Sequence, residues 1–176
     1  MCIRDSLIFN LPLVEQACRL AKENNMCVAL DLASFNVVND MRPAFDKIVN
    51  EYVDIIFANE EEARAFTGLG PVEALDEISK RCEIAVVKTG PDGSWIKRGD
   101  EVIKVEALKV NAVDTTGAGD LYAAGFLYGF SNGFSLEKCG LFGSILAGKV
   151  IEIIGARMPE EKWAEAKKLI REIAAE

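Results

Sequence analysis

Histidine is absent from all 176 residues, which removes Ser-His-Asp triads, Cys-His nucleophile pairs and HExxH zinc sites in one step. Any proton chemistry must run on carboxylate, lysine, tyrosine or cysteine. No apolar run approaches the ~18 residues a membrane span needs, and residues 1–6 carry no secretory pattern, so a cytoplasmic protein without membrane contacts is expected. CxxC pairs are lacking too. Cys2, Cys18, Cys27, Cys82 and Cys139 are scattered, and Cys18, Cys27 and Cys139 lie in apolar patterns where a thiol serves as a small hydrophobe, so reduced core thiols are expected. Clustered basic charge is also missing. A net charge of -8 with dispersed lysines and arginines does not resemble a nucleic-acid binder. Phosphate ligands remain admissible, because backbone N–H groups and a metal ion hold them locally.

What is present is a hydrophobic half, enough for one domain or part of a larger one. Val14, Ala17, Cys18 and Ala21 recur at helical spacing between Leu11 and Asn25. Cys27 to Leu32 then reads as a short buried strand, Met41 to Tyr52 as a helix and Val53 to Ala58 as a second apolar strand. Such alternation favours parallel strands. Two short helices, Glu60 to Phe66 and Val72 to Arg81, flank the breaker Gly68-Leu-Gly-Pro71. A third buried strand is expected at Ile84 to Lys88, and a hairpin pairs Ser94 to Lys97 with Val102 to Val105 through Arg98-Gly-Asp100. From Gly117 onward the pattern is helical, with breaks at Ser131 to Phe134 and near Gly155. The last helix starts at Pro159 and buries Trp163, Ala166, Ile170 and Ile173. Residues 1–6 match no element and read as a non-native lead-in to a domain that occupies 7–176.

The most informative stretch is Asp114-Thr-Thr-Gly-Ala-Gly-Asp120, set directly before the helical pattern Leu121 to Phe130. Gly117, Ala118 and Gly119 place small residues at a helix N-terminus, where free N–H groups and the positive end of the dipole bind anions. Asp120 falls in that first turn, so a candidate base would stand beside an anion hole. That pairing suits phosphoryl transfer. A plain helix start is the other reading of the same residues, with Thr115 or Thr116 as cap and Asp120 complementing the dipole. A dinucleotide fingerprint fails because Tyr122 stands where Gly or Ala is required, and no GxxxxGK[ST] sequence occurs.

Ala112 to Gly129, AVDTTGAGDLYAAGFLYG, closely resembles the second signature of the ribokinase-like (PfkB) carbohydrate kinases, nearest their adenosine-kinase-like branch. Asn59-Glu-Glu-Glu62 resembles the NxxE motif of that family, and Lys88-Thr-Gly-Pro-Asp-Gly93 its nucleotide-site strand and glycine turn. All three follow predicted strands, at the end of the sheet where open α/β folds gather ligands. The resemblance implies an α/β, three-layer ribokinase-like fold with a mainly parallel central sheet, truncated at the N-terminus. It implies Asp120 as catalytic base with Gly117, Ala118 and Gly119 as the hole. Asn59 and Glu62 would organise metal and phosphates, while Lys88, Thr89, Gly90, Gly93 and Ser144 border the nucleotide. Asp114, Thr116 and the Ile151 to Ala156 stretch match the monovalent-cation loop. Many relatives carry asparagine where Ser144 stands.

The cofactors implied are ATP and Mg²⁺, with K⁺ as the candidate monovalent cation, and the acceptor is a small sugar or nucleoside. Alternatives are a kinase of hydroxymethyl-bearing vitamin precursors and a non-catalytic nucleotide-binding module. The family's first glycine-rich signature, acidic acceptor-binding residue and lid strands have no counterpart, and Asp31 does not replace them. The chain is therefore expected to be the C-terminal portion of a kinase, inactive alone. The apolar stretch Ser135 to Ile153 is expected to be a closely packed central helix, and Arg157, two residues after Gly155, has two readings, a phosphate contact and a solvated surface arginine.

Overall fold

The computed structural model describes residues 2–3, 10–32 and 42–175. They divide into two compact units, Met1–Thr89 with Trp95–Val102, and Gly90–Ser94 with Ile103–Glu176.

In the first unit β1 (Cys2–Ile3), β2 (Ala29–Asp31), β3 (Ile55–Asn59) and β4 (Ile84–Lys88) lie side by side in chain order, each parallel to the next. In β3 and β4 the first four residues are buried and only the last, Asn59 and Lys88, reach partial exposure. Continuous burial is what a parallel strand covered on both faces requires. The register sets Asp31 opposite Phe57 and Asn59 opposite Lys88. Three polar residues therefore mark the C-terminal ends of three neighbouring strands.

Helices α1 (Leu11–Glu23), α2 (Arg42–Tyr52), α3 (Glu60–Thr67) and α4 (Pro71–Ser79) alternate with these strands. Asn10 caps α1 by accepting the Leu13 amide, and Val14, Cys18 and Ala21 form its buried face, as their spacing predicts. Gly68 ends α3 at φ 79°, with its N–H on Arg64 O at 2.7 Å. Phe66, Leu75, Ile78, Ile56 and Val87 are fully buried members of the core of this unit.

β5 (Ser94–Arg98) and β6 (Glu101–Val105) complete a sheet ordered β1 to β6. Two residues, Gly99 and Asp100, join these neighbouring strands, which only an antiparallel pair allows. Positive φ at Gly99 but not at Asp100 is the pattern of a type II′ turn. A mainly parallel α/β sheet with an antiparallel edge is thus the observed architecture.

Three details differ from expectation. Cys2–Ile3 pairs with β2, so residues 2 and 3, read as matching no element, do occupy one. The strand read over 27–32 is only Ala29–Asp31, because the Val28 amide goes to the Asp54 carboxylate at 2.8 Å. Cys27 consequently precedes the strand and is exposed, while Cys18 and Cys139 are buried as expected. Residues 33–41, which include Met41 and the stretch read as a loop, lie outside the described residues.

The second unit holds α5 (Ala118–Ser131), α6 (Leu136–Val150) and α7 (Glu160–Ala175). Glycines let α5 and α6 approach backbone to backbone. A Cβ on Gly125 would stand 2.5 Å from Phe142 O, and one on Gly129 would stand 3.0 Å from Cys139 Cα. The close-packed reading of α6 therefore holds. Met158, Ile145, Leu146, Val150 and Ala166 form a core against which Trp163, Ile170 and Ile173 pack. No helix among the described residues is long and apolar enough to cross a membrane.

Candidate functional site

The loop before α5 is built by hydrogen bonds that its own sequence supplies. Asp114 Oδ1 accepts from Thr116 N at 2.9 Å and Thr116 Oγ1 at 2.7 Å, an Asx-turn with a second hydroxyl bond. Asp114 Oδ2 accepts from Gly155 N at 2.8 Å, and Ile151 O accepts from Val113 N at 2.7 Å. One carboxylate therefore ties residues 114–116 to the segment after α6. These donors hold the Asp114 carboxyl below the usual carboxylate range, the Thr116 hydroxyl first, then the Gly155 and Thr116 amides.

Ala118 N donates to Thr115 O at 3.1 Å, closing a four-residue turn whose third residue, Gly117, has φ 80° and ψ 0°. Those angles define a type II turn and favour glycine. A Cβ there would also stand 2.7 Å from Ala156 Cβ. Gly117 is the N-cap of α5 and no side chain caps the helix, so neither Thr115 nor Thr116 plays the cap role considered above. Thr116 spends its hydroxyl on Asp114 instead. Asp120 is exposed, in the first turn, as expected.

The glycine turn is a single 3₁₀ turn, Gly90–Asp92, closed by Gly93 N on Gly90 O at 3.1 Å. Gly93 has φ 89°, and a Cβ would collide with the Val105 carbonyl and approach Ala107 N to 3.0 Å. Ser94, directly after it, is buried and shares a 2.7 Å hydrogen bond with the Tyr122 hydroxyl. Ser144 turns its hydroxyl to the chain: it donates to Glu106 O at 3.0 Å and accepts from Leu108 N at 2.9 Å. Arg157 is exposed.

In the first unit, Asn59 and Glu62 form a capping box at the start of α3. Glu62 N donates to Asn59 Oδ1, and Glu62 accepts the Asn59 amide at Oε2 and the Asn59 side-chain amide at Oε1, each at 2.8 Å. Glu62 is buried. Lys88 Nζ lies 3.0 Å from Asp31 Oδ2, and Thr89 beside it is buried. The sequence reading gave Asp31 no role, and missed the Ser94–Tyr122 bond. Partners 57 and 28 residues apart leave no local signal.

Glu62, Asp114 and Thr116 were the expected metal contacts. Among the described residues no group of three or more His, Cys, Asp or Glu side chains is placed to hold a metal ion. Mg²⁺ in phosphoryl-transfer sites is held by one or two carboxylates together with substrate phosphates, so this donor set fits a metal carried by a nucleotide rather than a protein cage.

A family profile described as pfkB family carbohydrate kinase matches residues 8–163. A nucleoside kinase of Methanocaldococcus jannaschii is 34% identical over 138 residues, which is 76% of this chain and 45% of that protein. The crystal structure of adenosine kinase from Sinorhizobium meliloti superposes with a TM-score of 0.89 at 34% identity, covering 96% of this chain and 53% of that one. An E. coli protein assigned as ribokinase II, crystallised in complex with ATP and Mg²⁺, superposes with a TM-score of 0.83 at 21% identity, covering 97% and 58% respectively. The chain spans about half the length of these relatives.

Proposed function

The chain belongs to the pfkB family of carbohydrate kinases, and on that footing we propose that it supplies the phosphoryl-transfer part of an ATP-dependent kinase of a small sugar or nucleoside. The observation that carries this reading is the 114–120 loop. Its Asx-turn and type II turn deliver the chain into α5 through a glycine cap with no side chain over the helix end. That leaves the first-turn amides without a side-chain cap, beside the exposed Asp120 carboxylate.

Asp120 takes the proton of the acceptor hydroxyl as its oxygen bonds to the γ-phosphorus. The bond from that phosphorus to the bridging oxygen breaks, and ADP departs. The amides at Gly117, Ala118 and Gly119 face the charge that builds on the moving phosphoryl group; of these, Ala118 N–H also closes the turn, so Gly119 contributes the less committed donor. Mg²⁺ bound to the nucleotide would screen its phosphate charge, and Glu62 and Asn59 are the residues assigned to organise it. Asp114 and Thr116 are assigned to the loop that a monovalent cation such as K⁺ would brace, and the anionic Asp114 suits a cation. Lys88, Thr89, Gly90, Gly93 and Ser144 are assigned to the nucleotide's border. For Ser144 the assignment is to holding residues 106–108 in place, since its hydroxyl already bonds there.

The test is calorimetric melting of the chain with millimolar Mg-ATP or Mg-ADP. A ligand at a hundred times its Kd stabilises the native state by about 2.7 kcal/mol, so the midpoint should rise with nucleotide concentration. A cooperative transition that nucleotide does not move would overturn the reading.

A further inference from the structure

We infer that Tyr122 is a positioning residue for this site: its hydroxyl, bonded to Ser94, fixes the glycine turn at 90–93 against the first turn of α5. The inference rests on the nucleotide-site reading above.

Tyr122 stands two residues after Asp120, and Ser94 directly follows Gly93. Their oxygens are 2.7 Å apart, with Ser94 1% and Tyr122 5% exposed. The bond therefore joins the two segments assigned to phosphate and nucleotide, and both ends lie in the same compact unit. The ring has a fixed seat as well. A Cβ on Gly143 of α6 would come within 3.2 Å of Tyr122 Cδ1 and Cδ2 and 2.8 Å of its carbonyl oxygen. On its other side the turn is locked by Gly93, which has no room for a side chain against residues 105–107.

Stability alone does not call for this bond. Phenylalanine would fill the same seat, whereas burying a hydroxyl is costly unless it is paired. A neutral pair of hydroxyls returns little net stability. What the pair adds over an apolar contact is a fixed distance and direction. Burial pushes the Tyr122 phenol well above its ordinary range, with the Ser94 bond only partly offsetting it, so the hydroxyl stays neutral and the link is insensitive to pH.

The experiment is a double-mutant cycle on the chain, with Tyr122→Phe, Ser94→Ala and both together, and Ser94→Thr as the conservative variant. Calorimetry reads the affinity for Mg-ADP and the melting temperature of each. Loss of about 1.4 kcal/mol from misaligned binding groups weakens the ligand about tenfold. Each single variant should lose that factor, the double should lose no more than either single, and Ser94→Thr should keep wild-type affinity. A lowered melting temperature with unchanged Mg-ADP affinity would reduce the bond to a core contact and overturn the inference. Should Ser94→Ala melt below the assay temperature, Tyr122→Phe, which conserves packing volume, decides alone. Wild-type chain that melts cooperatively but binds no Mg-ADP would instead remove the nucleotide reading itself.

Discussion

Lys88 at the end of β4 reaches over the end of β3 to pair with Asp31 at the end of β2, Nζ to Oδ2 3.0 Å, with the two side chains 14% and 6% exposed. The register puts Asn59 of β3 opposite Lys88, so the lysine stem passes beside the residue that opens the capping box. A cation committed to a carboxylate in this way is aimed rather than mobile.

Removing one partner of so buried a pair costs about 3–5 kcal/mol, while removing both is close to neutral. Lys88→Met should therefore lower unfolding stability by about that amount in urea titrations. Combining it with Asp31→Asn should restore most of the loss. A single-variant cost below about 1 kcal/mol would show that the pair behaves as a solvated surface bridge.

On the proposed assignment Asp120 serves proton transfer rather than binding. In a kinase that contains this chain, Asp120→Asn keeps the shape and removes the proposed proton acceptor, so kcat should fall about 10²- to 10⁴-fold. Nucleotide affinity should change little, because the carboxylate beside the phosphates contributes repulsion rather than attraction. A kcat within a few-fold of wild type would reduce Asp120 to a helix-dipole residue.

Asp114 gives a pH signature. Its folded-state pKa lies below the ordinary value of 3.8, so the clasp is present above the unfolded pKa and is lost as pH falls through the depressed folded value. The Thr116 and Gly155 amide resonances, whose N–H groups it accepts, should titrate together with a midpoint below 3.8. A midpoint at or above that value would mean that the carboxylate does not hold the two segments together.

Gly117 carries two separable constraints, its φ of 80° and the 2.7 Å approach of Ala156 Cβ. Left-handed backbone costs a residue with a Cβ about 1–2 kcal/mol, so Gly117→Ala should destabilise the chain by at least that in denaturant titrations. Adding Ala156→Gly should recover the steric part and leave the backbone part. Full recovery would show that the turn relaxes out of its type II geometry.

The sequence by itself determined the order of elements from α1 onward and the tight turn that leads into α5, because both are local. Helical spacing marks α1 through Val14, Cys18 and Ala21, and continuous apolar runs mark β3 and β4. The glycines of 114–120 announce a tight turn into a helix, since few other residues take φ 80° at a cap. The absence of histidine already confined acid–base chemistry to carboxylates and a few weaker groups.

Tertiary structure decided which polar groups pair with other parts of the chain. Ser144 bonds residues 106 and 108, Glu62 folds back on Asn59, and Lys88 takes Asp31 across an intervening strand. Cys27 stands outside the core because a distant carboxylate, Asp54, takes the neighbouring Val28 amide and the strand begins only at Ala29. Partners separated by 26, 28, 38 and 57 residues leave no periodicity in the chain. A hydrogen bond reaches only about 3 Å, so the fold must bring the groups together before their chemistry can pair them.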